Sequence, residues 1–376
     1  MHTVTAMSPV LQHFGLTLMV NHACNLRCTY CYTGAKFNAP MPTKIALAAI
    51  SRAFASIATS GQLYLSFFGG EPLLESARIL EWMDRARRLA QEDGKHVRFN
   101  ATTNGTVTHR DAWSVMMDDD LDIAVSFDGL PGMHDRHRRD TQGRGSAVAA
   151  EATLRQLIDA GKPVRINSVV RPDTLDQLPD GLIYLYDLGV RQVDLSLDLW
   201  TAWTAGDGCR LEKMIDRAAD LWRGWLPDFA LNWFDTKAGA LAHIPFLHAD
   251  VRCGFGDGEI SVAPSGRLYP CERLIGEDNP EHPMRLPGNV SDGHDFLSFN
   301  VIPFKSCAAC SACLLNSMCD SECRCSNFVR SGDMNRPDGL LCVLNKATAR
   351  AVSEALQWNE PPSPKSNCQN AKACYG

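Results

Sequence analysis

Three cysteines stand close together near the start of the chain. Cys24, Cys28 and Cys31 have the spacing C-x3-C-x2-C, and thiolates this close in a loop can converge on one metal centre. A four-iron cluster needs four ligands, so three cysteines would leave one iron with an open position, where chemistry can occur. The alternative is a structural zinc loop with His22 as the fourth ligand.

A second group of cysteines lies in the last third of the chain. The sequence has 15 cysteines; none stands between residues 32 and 208, and eleven follow residue 252. Disulfides rarely persist in a reducing compartment, so this many thiols indicates metal or cluster ligation, or redox chemistry. Zinc remains an alternative here too, because a C-x2-C pair also suits zinc.

Between the two cysteine groups, short runs rich in β-formers alternate with longer amphipathic runs. This alternation is typical of βα units and a parallel sheet, and six such units predict an α/β fold of the partial (β/α)6, TIM-type barrel class. The predicted strands are Gly15–Val20, Leu63–Phe68, Val97–Thr102, Ile123–Phe127, Val164–Val170 and Gln192–Leu197. The predicted helices are Thr43–Ile57, Leu73–Gln91, Arg110–Asp118, Ala147–Ala160, Leu175–Leu188 and Leu211–Trp225.

From about residue 227 the sequence becomes rich in Pro, Gly and Cys, with few long periodic runs. A module of this composition needs crosslinks to stabilise it, and inside a cell bound metals provide them. We therefore expect a barrel over residues 1–226 and a loop-rich cysteine module over 227–345. A C-terminal helix should cover 346–358, and the polar, proline-containing tail 359–376 is expected to be disordered.

The composition excludes several classes of protein. Hydrophobic residues make up 45% and charged residues 21% of the 376 positions, close to globular averages. The net charge of −6 is opposite to that of a basic nucleic-acid binder. Apolar runs fall short of the roughly 18 to 20 residues that span a bilayer, and no secretory signal is recognisable. The sequence predicts a cytoplasmic protein that binds neither nucleic acid nor membrane.

Beyond the cysteines, the sequence resembles the radical S-adenosylmethionine (radical SAM) superfamily. The stretch F-G-G-E-P at Phe68–Pro72 follows the second predicted strand, as the GGEP motif of the superfamily does. The resemblance implies that Gly69, Gly70 and Glu71 hold the methionine amino group of S-adenosylmethionine (SAM). Gly-Gly before Glu-Pro is also a good turn, but its place at the end of a strand favours the motif.

Two further strand ends carry polar residues, where barrel active sites are built. Asn104 lies in T-N-G after the third strand and Ser126 in S-F-D-G at the end of the fourth. The resemblance implies that Ser126 and Arg138, the latter in an H-x3-R stretch, contact the SAM carboxylate, and that Asn104 belongs to the same site. The alternatives are turn chemistry for Asn104 and a solvated charge for Arg138.

The resemblance also implies the reaction. The cluster held by the three N-terminal cysteines would bind SAM at its open iron. One electron, from a reductant such as flavodoxin or ferredoxin, would cleave SAM to methionine and a 5′-deoxyadenosyl radical, which abstracts hydrogen from the substrate. The barrel wall must hold the target carbon close, because such a radical attacks whatever lies nearest.

The second cysteine group resembles the SPASM extension of radical SAM enzymes that act on peptides and proteins. Seven cysteines follow the order of that family: Cys253, Cys271, Cys310, Cys313, Cys319, Cys323 and Cys342. The resemblance assigns one auxiliary [4Fe–4S] cluster to Cys310, Cys313, Cys319 and Cys342. It assigns the other to Cys253, Cys271 and Cys323, with a fourth position that is open, or is filled by Cys307 or Cys325. The alternative for Cys307 and Cys325 is that they are ordinary buried thiols. The sequence assigns no role to Cys368 and Cys374.

Glu272 directly follows Cys271. In anaerobic sulfatase maturases, which the chain also resembles, an Asp at this position accepts a proton, so Glu272 is a candidate base. Its extra methylene, and the absence of a cysteine that those maturases usually carry shortly after the position of Cys253, weaken the sulfatase interpretation. The alternative for Glu272 is a surface carboxylate paired with Arg273.

These observations lead to three hypotheses. The first is a radical SAM/SPASM enzyme that crosslinks or oxidises a peptide or protein. The second is an anaerobic sulfatase maturase that converts Cys or Ser to formylglycine, and the third is a non-catalytic iron–sulfur or zinc protein. Because the cysteines begin at residue 24, we do not expect a precursor-binding domain before them. We expect instead that a separate protein recognises the precursor.

Overall fold

The computed structural model describes residues 11–241, 254–297, 308–313, 315, 319 and 323–356. The described residues fall into two compact units. The first contains residues 11–25, 31–124 and 254–297, and the second contains 26–30, 125–241 and the described residues from 308 onward. Cys253, Cys307 and the predicted disordered tail lie outside the described residues.

The described part of the chain is mixed α/β. The strands are β1 (Leu11–Asn21), β2 (Ile57–Gly69), β3 (His96–Thr103), β4 (Leu121–Ser126), β5 (Val164–Val170), β6 (Gln192–Leu197), β7 (Ala230–Leu231), β8 (Glu259–Val262) and β9 (Leu268–Tyr269). The helices are α1 (Thr43–Ala55), α2 (Ser76–Glu92), α3 (Arg110–Met116), α4 (Pro131–His137), α5 (Ala147–Asp159), α6 (Leu178–Asp187), α7 (Ala205–Trp225), α8 (Asn232–Leu241), α9 (Ala308–Ser311), α10 (Arg324–Ser331) and α11 (Gly339–Ala355).

In the first unit, β1 pairs in parallel with β2, and β2 pairs in parallel with β3. Leu16 of β1 lies opposite Leu65 of β2, which lies opposite Phe99 of β3, and all three side chains are buried. Helix α2 buries Ile79 and Met83, on the apolar face that its sequence period predicts. The predicted α/β class with parallel strands is confirmed.

Strands β8 and β9 also belong to the first unit. β8 pairs in parallel with β1, and β9 pairs antiparallel with β8. Both strands lie in the stretch that the sequence assigns to the cysteine module, so residues 254–297 extend the sheet of the first unit. Arg52 of α1 holds the end of this stretch through hydrogen bonds to the carbonyls of Asp295 and Asn289, at 2.7 and 3.1 Å.

In the second unit, β5, β6 and β7 are parallel, and α11 packs against α7 and α8. Lys237 of α8 is buried and donates to Asn345 Oδ1 of α11 at 2.8 Å. Arg350 of α11 forms an ion pair of 2.6 Å with Asp216 of α7. The last described helix is therefore an integral part of this unit.

Helix beginnings differ from the prediction where caps determine them. Thr204 and Asp207 form a capping box, so α7 begins at Ala205 rather than at Leu211. The Asp338 side chain accepts from Leu341 N, so α11 begins at Gly339. No helix within the described ranges has the length and hydrophobicity needed to cross a membrane.

Candidate functional site

The loop that carries the N-terminal cysteines connects β1 to α1, and buried Asn21 ties its two ends together. The Asn21 Oδ1 atom accepts hydrogen bonds from the backbone N–H groups of Ala23 and Ala39, each at 3.0 Å. The backbone N–H of Met41 donates to Val20 O at 2.7 Å. The two ends of the loop are therefore held together within the first unit.

The glycine pair of the G-G-E-P stretch packs directly on the start of this loop. Gly70 N donates to Asn21 O at 2.8 Å, and Glu71 N donates to Ala23 O at 2.9 Å. A Cβ atom on Gly69 would lie 2.4 Å from Asn21 O, and one on Gly70 would lie 2.2 Å from Ala23 O. Only glycine permits so close an approach of the two backbone segments. The segment that packs against Gly69 and Gly70 is the start of the cysteine loop.

The Glu71 side chain connects the ends of β2 and β3. It is 1% exposed, and its Oε1 accepts from Thr103 Oγ1 at 2.8 Å and from Leu73 N at 3.1 Å. Its Oε2 accepts from Asn104 N at 2.7 Å. Both side-chain oxygens therefore bind the chain itself, and the contact of Glu71 with SAM stays a prediction.

Asn104 lies beside the first cysteine of the loop. Its Nδ2 donates to Asn25 Oδ1 at 2.9 Å and lies 3.8 Å from Cys24 Sγ. Its Oδ1 accepts from Thr106 N at 2.9 Å, so the turn interaction proposed as an alternative is present as well. The side chain therefore joins the turn after β3 to the Cys24 thiol.

The Cys31 thiol has a basic neighbour. Its Sγ lies 3.3 Å from Thr33 Oγ1, and Lys36 Nζ donates to the same hydroxyl. Burial by itself would raise the pKa of Cys31, but the Lys36 charge and the Thr33 hydrogen bond outweigh it and lower that pKa. The thiolate, which is the form that binds a metal, is thus favoured.

In the second unit, Ser126 and Arg138 are both 7% exposed. Arg138 Nε donates to Asp128 Oδ2 at 3.3 Å, so the alternative of a solvated charge is wrong for Arg138. Burial by itself would lower the pKa of Arg138, but the acidic groups of Tyr30, Asp128 and Cys28 raise it. The guanidinium therefore stays charged in a buried place, where it can bind an anion.

A chain of hydrogen bonds through His134 fixes the backbone of Arg138. His134 is fully buried, and burial lowers its pKa to about 4, so the ring is neutral at pH 7. Nδ1 accepts from Asp128 N at 3.5 Å, Nε2 donates to Ser146 Oγ at 2.8 Å, and that hydroxyl donates to Arg138 O at 2.8 Å. A protonated ring could not accept at Nδ1.

We expect His134 to make unfolding depend on pH. As the pH falls below 6.5, His134 becomes protonated in the unfolded chain, whereas in the folded protein it stays neutral until about pH 4. The free energy of unfolding that is present above pH 6.5 therefore decreases between pH 6.5 and about pH 4. Between pH 7 and 5 this loss should be about 2 kcal/mol. Urea unfolding of His134→Gln should show a correspondingly smaller pH dependence than wild type. Exposed His96→Gln is the control, and equal pH dependence in all three proteins would contradict the assignment.

Cys271 and Glu272 lie in the first unit, after β9. Cys271 is 5% exposed and its Sγ donates to Glu272 Oε2 at 3.5 Å. Glu272 is half-buried, and its charge acts on Tyr32, whose pKa is raised well above its ordinary value, chiefly by burial. Glu272 is therefore placed next to a predicted cluster ligand rather than on an open surface.

The remaining described cysteines of the second group lie in the second unit. Cys310 and Cys313 are joined by a turn, in which Cys313 N donates to Cys310 O at 3.0 Å. Cys323 caps α10 and its Sγ lies 3.5 Å from that of Cys325, which is 3% exposed. Cys319 and Cys342 are half-buried, the latter in the first turn of α11.

The donor chemistry of the N-terminal loop fits an iron–sulfur cluster. Cys24, Cys28 and Cys31 are half-buried thiols of one loop, with an amide beside the first and a lysine near the third. Within the described ranges no three His, Cys, Asp or Glu side chains enclose a single ion. The cysteines of a four-iron cluster each bind a different iron, so their sulfurs surround the cluster and need not meet at one point.

Residues 18–182 match the radical SAM superfamily. The chain carries a radical SAM domain. Such a domain uses SAM and a [4Fe–4S] cluster, which agrees with the cysteine loop that follows β1 and with the glycine pair at the end of β2.

Two curated relatives are similar to most of this chain. The radical SAM cyclopropyl synthase TigE of Paramaledivibacter caminithermalis is 22% identical over 90% of this chain and 74% of its own. A serine-type anaerobic sulfatase-maturating enzyme of Klebsiella aerogenes is 25% identical over 73% of this chain and 69% of its own.

A solved structure supports the fold. The protein anSMEcpe, with bound AdoMet and the Kp18Cys peptide, is 18% identical and has a TM-score of 0.73, over 91% of this chain and 99% of its own. The α/β fold of the partial-barrel class predicted from the sequence is thereby confirmed for this chain.

Several residues at these strand ends escape sequence reasoning. Asn21 carries no motif, and Tyr30 is visible only as the aromatic residue between two cysteines. Asp128 lies within S-F-D-G without a motif role of its own, and Arg171 and Asp198 directly follow β5 and β6. Except for Tyr30, each of these residues directly follows a predicted strand, and that position is the signal that could have found it.

Proposed function

We propose that this chain is a radical SAM/SPASM enzyme that modifies a peptide or protein by crosslinking or oxidation. The observation that carries the proposal is the fixed loop of three cysteines, with Asn104 beside Cys24 and a buried charged arginine in the unit that contains Cys28. When bound, the cluster and SAM supply a 5′-deoxyadenosyl radical that abstracts hydrogen from the substrate.

The residues of this chain act by binding and orientation. Cys24, Cys28 and Cys31 provide the thiolates for the cluster. Arg138, charged and held by Asp128, attracts the SAM carboxylate, and Ser126 is the hydroxyl partner for the same group. The backbone of Gly69 to Glu71 is the proposed contact for the SAM amino group, and Asn104 lies beside Cys24 in the same unit.

For the second cysteine group we propose two auxiliary [4Fe–4S] clusters. One uses Cys310, Cys313, Cys319 and Cys342, and the other uses Cys253, Cys271 and Cys323. The 3.5 Å separation between the sulfurs of Cys323 and Cys325 supports Cys325 as the candidate for the fourth position of the second set. Glu272, next to Cys271, is the proposed base, because its carboxylate is half-buried beside a cluster ligand.

A peptide or protein substrate is supported by the relatives. The Klebsiella enzyme matures sulfatases according to its name, and anSMEcpe is seen with a peptide. A reductant such as flavodoxin or ferredoxin, and a separate precursor-recognition protein, complete the proposed set of partners.

Formylglycine formation is the second candidate, favoured by the similarity to the sulfatase-maturating enzyme. The cyclopropyl synthase TigE and the Glu at position 272 favour the first candidate.

The test uses the full-length protein, reconstituted anaerobically with iron and sulfide and supplied with SAM and dithionite. We expect 5′-deoxyadenosine to form, with iron and sulfide for about three [4Fe–4S] clusters per chain. Zinc without labile sulfide, and no cleavage of SAM, would exclude both enzymatic candidates. A peptide with a sulfatase formylglycine motif separates them: loss of two hydrogens at its Ser, or conversion of its Cys to an aldehyde, favours the maturase.

A further inference from the structure

Asp128 is a buried carboxylate to which the proposed chemistry assigns only the support of Arg138. It is 4% exposed, and its Oδ1 accepts from Val169 N at 3.0 Å. Its Oδ2 accepts from the Tyr30 hydroxyl at 2.5 Å and from Arg138 Nε at 3.3 Å. A buried carboxylate is costly unless it is paired and hydrogen-bonded, so the partners of Asp128 are held in a defined arrangement.

Tyr30 is held at its ring as well as at its hydroxyl. The guanidinium carbons of Arg138 and Arg171 lie 5.4 and 5.8 Å from the ring centroid, within the range of cation–π attraction. Arg171 is itself fixed by ion pairs with Asp198 and, at 3.2 Å, with Asp173. The Tyr30 side chain therefore has a fixed position in the second unit.

The backbone next to Tyr30 is bound to the same unit. Arg27 N donates to Arg139 O at 2.6 Å, and Thr29 N donates to His137 O at 3.0 Å. Thr29 Oγ1 also lies 2.8 Å from His137 Nδ1. Cys28 stands between these two backbone hydrogen bonds, so its direction depends on how firmly residues 26–30 are held.

We propose that Asp128 is a positioning residue that fixes Cys28 through Tyr30 and Arg138. A single carboxylate oxygen binds both side chains and so sets their separation, while the negative charge balances the guanidinium groups near the ring. Without that charge the hydroxyl of Tyr30 loses this acceptor, and residues 26–30 lose one of the contacts that hold them in the second unit. The inference rests on the proposed function only in that Cys28 is a cluster ligand.

The first test measures the alkylation rate of Cys28 by iodoacetamide in the full-length, cluster-free protein, resolved by peptide mass spectrometry. In Asp128→Asn and in Tyr30→Phe the rate should rise about tenfold, because each variant removes a hydrogen bond to a charged group. The double variant should rise no further, since both changes remove the same contact. Asp122→Asn, which changes an exposed carboxylate on β4, should leave the rate unchanged.

Cys342 in the same samples reports global unfolding. A Cys28 rate within twofold of wild type in Tyr30→Phe would overturn the proposal, and so would an equal increase at Cys342. If Asp128→Asn does not fold, Tyr30→Phe decides, because it keeps the ring and loses only the hydroxyl.

A second readout uses the reconstituted protein. The electron paramagnetic resonance spectrum of the reduced N-terminal cluster should change in Asp128→Asn and remain as in wild type in Asp122→Asn, and an unchanged spectrum in both would count against the proposal. Failure of the wild-type protein to cleave SAM would contradict the proposed function, but would leave the alkylation comparison intact.

Discussion

Replacing Cys24 by alanine is expected to abolish the formation of 5′-deoxyadenosine from SAM. The variant leaves two thiolates where the proposed cluster needs three, and it removes the sulfur that lies 3.8 Å from the Asn104 amide. Loss of a partner that only supports a ligand commonly costs 10 to 100-fold, so loss of a ligand should cost more than about 100-fold. The measurement is 5′-deoxyadenosine by mass spectrometry after anaerobic reconstitution with dithionite.

The matched control for this variant is Cys368→Ala, the same substitution at a cysteine with no proposed ligand role. It should cleave SAM at the wild-type rate and keep the wild-type iron content. Cleavage by Cys24→Ala at more than about a tenth of the wild-type rate would show that the cysteine loop does not hold the reactive cluster. An unfolded variant is recognised by a lowered urea midpoint relative to the cluster-free wild-type protein.

The elements of the barrel could be predicted because they carry local signals. Strand β5 and strand β6 begin and end at the predicted residues, since apolar β-formers there are bounded by turn residues. The cysteine loop was visible from spacing alone, which does not depend on packing. Arg138 was found through its motif, but its burial against Asp128 is a tertiary property that no local pattern contains.

The parts that could not be predicted depend on partners far away in the chain. Strand β8 is four residues long among glycines, and it becomes a strand because β1, more than 200 residues earlier, offers it a parallel edge. The fixed position of Tyr30 likewise needs Asp128, 98 residues later. Glu71 shows a third case, since its motif indicates a ligand contact whereas its two oxygens bind Thr103 and Asn104.

This distinction between local signals and distant partners matters for the second cysteine group. There the ligand assignments rest on spacing and on resemblance, and the described structure adds the turn between Cys310 and Cys313. A turn of this kind brings two thiols of a C-x2-C pair to the same side, which is the arrangement expected of ligands that share a cluster. Removal of one of them is therefore the most direct test of a separate auxiliary cluster.

The variant Cys313→Ala is expected to separate SAM cleavage from productive turnover. Because the proposed ligand set of Cys313 is distinct from that of the N-terminal loop, the variant should keep a substantial part of 5′-deoxyadenosine formation. It should lose the iron of one [4Fe–4S] cluster, about a third of the total if three are present. Modification of any peptide that the wild-type protein modifies should fall by more than about 100-fold, because the proposed auxiliary cluster would serve the later steps on the substrate.

Iron analysis, 5′-deoxyadenosine and peptide mass are measured on the same reconstituted sample, with Cys374→Ala as the control. Loss of SAM cleavage and of peptide modification to the same degree would contradict the separation, because it would mean that the two cysteine groups serve one centre. Unchanged iron content would remove Cys313 from the ligand set. The expected result has three parts: SAM is still cleaved, the iron of one cluster is lost, and no modified peptide forms. Only separate roles for the two cysteine groups predict this combination.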